Sequence, residues 1–205
     1  AVLATLLGVL SSNIARADLA AGLAAFRTGD YGQALSEFQP LAAQGEPQAQ
    51  FYLGLSYQKG WGVIADSSKA VQWYRRAAEQ GLTKAQHNLA LLYLRGEGVT
   101  ADAEQARAWF ERAAQQGDMR AAHELGLMYF RGAGVTRDFV LAHNWWQKAA
   151  DAGEASAAYD LGILYRRGQG GVPRDVAASI TQWRRAAHSG LAVAQNALGA
   201  CYMNG

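Results

Sequence analysis

Apolar residues recur along this chain at helical spacing. Ala49, Leu53, Gly54 and Tyr57 stand at i, i+4, i+5 and i+8, which places them on one face of a helix. A second run opens at Asp66 and carries Ala70, Trp73 and Ala77 at i, i+3 and i+7. Aspartate suits that opening position, because its carboxylate accepts from N–H groups that the first helical turn leaves unpaired. The run closes at Gly81, the residue type best able to adopt the left-handed conformation that ends many helices. The pattern predicts two helices joined by a glycine-containing turn.

The same pattern returns at a step of 36 residues. Leu53-Gly54, Leu89-Ala90, Leu125-Gly126 and Leu161-Gly162 keep this register, as do Tyr57, Tyr93, Tyr129 and Tyr165. Gly60, Gly96, Gly132 and Gly168 follow in step, each succeeded by Gly-Val, with one glycine inserted before Gly171-Val172. Asp66, Asp102, Asp138 and Asp175 open the second helices, and Gly81, Gly117, Gly153 and Gly190 end them. A Gly-x-Gly could cradle a phosphate, but a dinucleotide loop follows a strand, and no strand pattern precedes these. Four occurrences in register between helices predict a hinge. Two helices cannot bury these faces alone, so neighbouring units must stack. Paired alanines such as Ala77-Ala78 allow close backbone approach, and the Trp and Tyr rings fill the remaining space.

This pattern, A-x-x-x-L-G-x-x-Y-x-x-G-x-G-V-x-x-D-x-x-K-A-x-x-W-Y-x-x-A-A-x-x-G, resembles the Sel-one-like repeat (SLR), a relative of the tetratricopeptide repeat. The resemblance runs from about Ala49 to Gly205. Before it, RTGDYGQALSEF resembles the tetratricopeptide form with a shorter hinge; Ala34, Phe38 and Gly45 lie 36 residues before Ala70, Tyr74 and Gly81. The resemblance implies an all-α fold, a right-handed α-solenoid of stacked antiparallel helix pairs. The expected organisation is a signal peptide lacking its basic start over 1–17, a tetratricopeptide-like pair over 18–48, repeats over 49–84, 85–120, 121–156 and 157–193, and a truncated repeat over 194–205. Gln182 in place of an aromatic, Ser179 in place of Ala, and the inserted Gly171 predict looser packing in the fourth repeat. Cysteine-rich members pair cysteines across each unit. Cys201 is this chain's one cysteine, so that stabilisation does not carry over.

Composition adds bounds. Half of the 205 residues are hydrophobic, and 19 basic residues face 17 acidic ones for a net charge of +2, too balanced for a strong pull on nucleic acid. The opening AVLATLLGVLSSNIARAD reads as a hydrophobic signal core followed by Ala15-Arg16-Ala17, an A-x-A cleavage pattern. Ten helical residues span roughly 15 Å, about half a bilayer core, so stable membrane insertion of the mature chain is not expected. The expected location is periplasmic or secreted.

The resemblance implies that the first helix of each repeat lines a concave face, and positions not used for stacking then form columns. Phe51, His87, His123 and Tyr159 form an aromatic column; Leu55, Leu91, Leu127 and Ile163 an aliphatic one; Lys59, Arg95, Arg131 and Arg167 a basic one. Together they predict a groove for an extended or helical peptide carrying acidic residues. Each cation also ends a helix, where it offsets the macrodipole regardless of any guest. Adjacent helices lie roughly 8–10 Å apart, too wide for His87 and His123 to share one metal ion with bonds of ~2.1 Å. Ser56-Tyr57-Gln58-Lys59 matches the S-x-x-K nucleophile motif, yet S-D-N and K-T-G are missing and later repeats carry Leu92 or Met128 in place of the serine. Cys201 is expected to be a small buried residue.

The reading is therefore a monomeric, non-enzymatic scaffold or regulator of the cell envelope that binds another protein or peptide, without cofactor, metal or nucleic acid. Two alternatives remain open: a peptidoglycan- or β-lactam-directed enzyme or binder, and the spacer part of a longer protein.

Overall fold

The computed structural model describes residues 17–203. The expected signal peptide lies, but for Ala17, outside the described residues. Those residues form eleven helices and no strand: α1 (Leu19–Thr28), α2 (Tyr31–Ala43), α3 (Pro47–Lys59), α4 (Ser67–Glu79), α5 (Thr83–Arg95), α6 (Ala103–Gln115), α7 (Met119–Arg131), α8 (Phe139–Asp151), α9 (Ala155–Arg167), α10 (Val176–His188) and α11 (Ala192–Met203). They fall into two compact units, one ending at Gln80 and one beginning at Gly81.

Local signals set the helix ends where the sequence predicts them. Asp66, Asp102, Asp138 and Asp175 each precede a second helix with extended backbone, and each carboxylate accepts N–H bonds from the first turn, from Lys69, Gln105, Leu141 and Ala178 respectively. The same aspartates close the hinge from the other side. Their backbone N–H groups donate to the carbonyls of Tyr57, Tyr93, Tyr129 and Tyr165 over 2.8–3.0 Å. This bond fixes tyrosine and aspartate in a common register, and it survives the extra glycine of the last hinge. Nothing in these turns resembles a phosphate loop, since a helix stands on either side of each.

The second glycine of the hinge has a further task. A Cβ on Gly62 would come within 2.7 Å of Leu35 on α2, one on Gly134 would overlap Ala103 at the start of α6, and one on Gly170 would overlap the Phe139 ring at the start of α8. These three hinges therefore rest on the early turns of the preceding hairpin's second helix, a contact that only glycine allows.

In the unit ending at Gln80, α1 packs on α2, α2 on α3, and α3 on α4. Its core joins Ala34, Leu35, Phe38, Ala42, Ala49 and Leu53. Only Gly29 and Asp30 connect α1 to α2, the short hinge that the tetratricopeptide-like segment predicts. In the unit from Gly81, the hairpins α5–α6, α7–α8 and α9–α10 follow one another, each second helix packs on the next first helix, and α11 packs on α10. Helices α5 to α10 are each 13 residues long, about 20 Å at 1.5 Å per residue.

Of the two aromatic positions in each second helix, the second is buried throughout, and in α6 the first, Trp109, is buried as well. Tyr74, Phe110, Trp146 and Trp183 are buried. Trp73 and Trp145 are half-exposed, with Arg76 and Lys148 seated over their rings. The buried rings explain the Leu-Gly pairs: a methyl group on Gly54, Gly126 or Gly162 would collide with Tyr74, Trp146 or Trp183. The looser fourth repeat that the sequence predicts is not found. Helices α9 and α10 pack as extensively as the other hairpins, because Ser179 and Gln182 are buried and Trp183 keeps the core position. Cys201 also departs from expectation: it is half-exposed, and its Sγ accepts from Arg166 over 2.8 Å.

Candidate peptide-binding site

The residues predicted to face a guest divide between the two units. Phe51, Leu55 and Lys59 lie on α3; the other nine lie on α5, α7 and α9. The basic column stands at the last position of each first helix, exposed, next to a left-handed glycine cap. The aliphatic column is half-buried throughout.

The aromatic column is less open than predicted. Phe51 and His87 are buried, 9% and 8% exposed, and neither can offer a surface to a guest. The reason is that this position lies over the ring of its own hairpin's second helix. Phe51 meets Tyr74 at 5.6 Å, His87 meets Phe110 at 5.6 Å, and Tyr159 meets Trp183 at 6.4 Å between centroids. Stacking therefore does use these side chains. The two histidines also tie successive hairpins together: His87 Nδ1 lies 3.0 Å from Asp118, and His123 Nε2 lies 2.7 Å from Asp160. Both imidazoles thus have carboxylate partners of their own. Among the described residues no group of three His, Cys, Asp or Glu side chains could hold a metal ion. Ser56, of the S-x-x-K sequence, is 1% exposed and its Oγ lacks a hydrogen-bond partner among the described residues, so that hydroxyl is closed to an incoming substrate.

Asp118 caps α7 through the N–H groups of Arg120 and Ala121 as well as meeting His87. Burial pushes its carboxyl up, but the contact and charge of His87, the Ala121 N–H and nearby Arg120 together outweigh that and hold it below the ordinary carboxylate value of 3.8. A depressed carboxylate adds stability above its unfolded-state value and loses it as pH falls through the folded one. Asp118→Asn keeps the cap and removes the charge. It is expected to lower stability at neutral pH by no more than about 1 kcal/mol, solvent screening included. The gap from the parent should close on acidification below the carboxylate range, read from urea unfolding at several pH values; a gap that persists there would remove the charge from the account.

Two hollows lie side by side in the unit from Gly81. The smaller, about 140 Å³, is lined by Leu127, Phe130, Arg131, Trp146, Asp160, Ile163 and Arg167. The larger, about 660 Å³ and more open, is lined by Tyr159, Ile163, Arg166, Arg167, Arg174 and Trp183. Ile163 and Arg167 are common to both, so the two form one continuous depression over α7, α9 and α10. Five predicted residues meet here: Leu127, Arg131, Tyr159, Ile163 and Arg167. Sequence reasoning missed Phe130, Trp146, Asp160, Arg166, Arg174 and Trp183. Trp146 and Trp183 could have been found from the second aromatic position that recurs in the second helices, but Asp160 and Arg174 carry no repeating signal.

The indole N–H groups hold this floor in place. Trp146 Nε1 donates to the His123 carbonyl over 3.1 Å, and Trp183 Nε1 to the Tyr159 carbonyl over 3.0 Å. Each ring is thereby fixed against the first helix that carries the site.

Repeated helical hairpins, capped by aspartate and folded back at a double glycine, define a helical-repeat protein of the α-solenoid class. The Sel1 repeat family profile matches residues 47–82, 83–118, 120–154, 155–191 and 192–205, and the chain belongs to that family. Among solved structures it is similar to a protective antigen present in uropathogenic Escherichia coli strains that displays an SLR fold, with 40% identity and a TM-score of 0.86 over 90% of this chain. It is also similar to a Sel1 repeat protein from Oxalobacter formigenes, with 34% identity and a TM-score of 0.84 over 90% of this chain. The chain spans 40% of the length of the first and 75% of the second. An immunity protein from Pseudomonas aeruginosa, 20% identical with a TM-score of 0.55 over 84% of this chain and 67% of its own, shares the fold. No curated protein matches the chain. Sel1 repeat proteins generally act in protein–protein interaction.

Proposed function

We propose that this chain is an exported, non-enzymatic scaffold or regulator of the cell envelope, and that it holds a polypeptide in the depression over α7, α9 and α10. One observation carries the reading. Residues chosen from separate columns of the sequence, Leu127, Arg131, Tyr159, Ile163 and Arg167, line one continuous concavity with an aromatic floor and a basic margin. A fixed concave wall suits a guest, because little ordering entropy is lost on the receiving side. The hydrophobic start followed by Ala15-Arg16-Ala17 supports export, as does the 40% identical relative's description as a protective antigen. Among the described residues no helix is long and apolar enough to cross a membrane.

The test places a photo-reactive p-benzoylphenylalanine at Ile163, or at exposed Gln105 of α6 as control, in the chain expressed in its native cells. Irradiation should give a defined polypeptide adduct from position 163 only, and the recovered chain should begin at Asp18. Equal yields from both positions, or none, would remove the groove from the reading; a chain recovered with residues 1–17 still attached would remove export.

A further inference from the structure

We infer that the guest is an acidic segment with an aliphatic or aromatic anchor residue, held by Arg131, Arg167 and Arg174; this rests on the polypeptide-binding reading above and narrows it. Most arginines of the unit from Gly81 are already engaged. Arg95, Arg107, Arg120 and Arg185 sit within ion-pair distance of Glu97, Glu111, Asp118 and Asp151. Arg112, Arg137 and Arg166 lie over the rings of Trp109, Phe139 and Trp183, and Arg184 also has a partner. Three remain without an ion pair, hydrogen bond or ring contact to any described residue: Arg131, Arg167 and Arg174. All three line the two hollows.

A single free arginine on a wet surface says little. Three of one sign around one concavity are different, because their fields add at one place. They come from three places: the ends of α7 and α9, and the loop before α10. The macrodipole accounts for Arg131 and Arg167, but Arg174 ends no helix, so that explanation does not reach it. The carboxylate within the depression, Asp160, is matched by His123 at 2.7 Å and does not answer the arginines. Guanidinium groups grip carboxylates through two parallel N–H bonds, so the chemistry left open is that of Asp or Glu side chains on a guest.

The smaller hollow sets the second requirement. Its 140 Å³ equals about five waters at liquid density. Leu127, Phe130, Trp146 and Ile163 supply apolar walls, so one aliphatic or aromatic side chain fits better than water does. Arg131 and Arg167 flank that hollow and Arg167 and Arg174 the larger one, which places acidic residues beside the anchor. The structure also alters the basic column read from the sequence: Arg95 is occupied by Glu97 at 3.6 Å, and Arg174 takes its place in the set.

The test selects short random peptides displayed on phage against the immobilised full chain and, in parallel, against the R131Q/R167Q/R174Q chain. The three side chains are exposed, so helicity by circular dichroism should be unchanged. Peptides retained by the parent should be enriched in Asp and Glu around a Leu, Ile or aromatic residue, and should bind the variant at least about tenfold more weakly. Their affinity should fall with added salt. The R131K/R167K/R174K chain, which keeps charge but loses the paired donors, should fall between the two. Selection of neutral or basic peptides, or equal binding by parent and variant, would overturn the acidic guest while leaving a polypeptide guest standing. Recovery of no peptide at all would overturn both. Stronger retention of a random single-stranded oligonucleotide pool than of any peptide would overturn the inference in favour of nucleic acid.

Discussion

Replacing Trp146 with alanine is expected to lower the stability of the chain by about 3–5 kcal/mol, the range for losing a large aromatic side chain from a packed interior. The indole is 2% exposed, lies where Gly126 leaves room for it, and contacts the Phe130 ring at a centroid distance of 5.3 Å. The change also leaves the His123 carbonyl without the indole N–H donor. Collapse of the site is restricted by stiff neighbouring helices, so much of the cavity should persist. Urea unfolding followed by far-ultraviolet circular dichroism measures the loss. Trp145→Ala provides the comparison, since that neighbour is half-exposed and should cost markedly less. Equal losses would mean that the assignment of the inner ring is wrong. Trp146 also floors the smaller hollow, so a retained fold with weakened peptide binding would be the expected outcome of the milder Trp146→Phe.

Gly134→Ala is expected to destabilise by about 2–4 kcal/mol, and Gly132→Ala in the same hinge by only about 1 kcal/mol. Both glycines have positive φ, +69° and +71°, so both substitutions carry the left-handed strain. They differ in surroundings. A methyl group on Gly134 would overlap Ala103 of the preceding hairpin, whereas one on Gly132 would only touch Arg137 at 3.2 Å. The difference between the two variants isolates the docking of hinge on helix from backbone strain. Paired unfolding curves decide it; indistinguishable midpoints would reduce the double glycine to a turn requirement.

Much of this architecture was legible residue by residue. The four aspartates cap the helices predicted for them, and the Gly-x-Gly sequences fold as hinges because both signals act within a few residues of chain. The site was legible in part. Leu127, Arg131, Tyr159, Ile163 and Arg167 come together because helical periodicity places them on one face of α7 and α9. Phe51 and His87 belong to the same column by spacing, yet each is covered by a ring from the second helix of its hairpin. Arg174 belongs to no column and reaches the site through the lengthened last hinge.

By itself, then, the sequence determined that this is a protein of helical hairpins repeated at a fixed step, with their caps, hinges and buried small residues, since those features depend on neighbours three to eight positions away. Only the tertiary structure decided how far the first aromatic of each pair is covered, which column positions stay open, and which arginines keep their charge unanswered. Those outcomes depend on pairs such as His123 with Asp160, 37 residues apart, whose meeting follows from how one hairpin lies on the next.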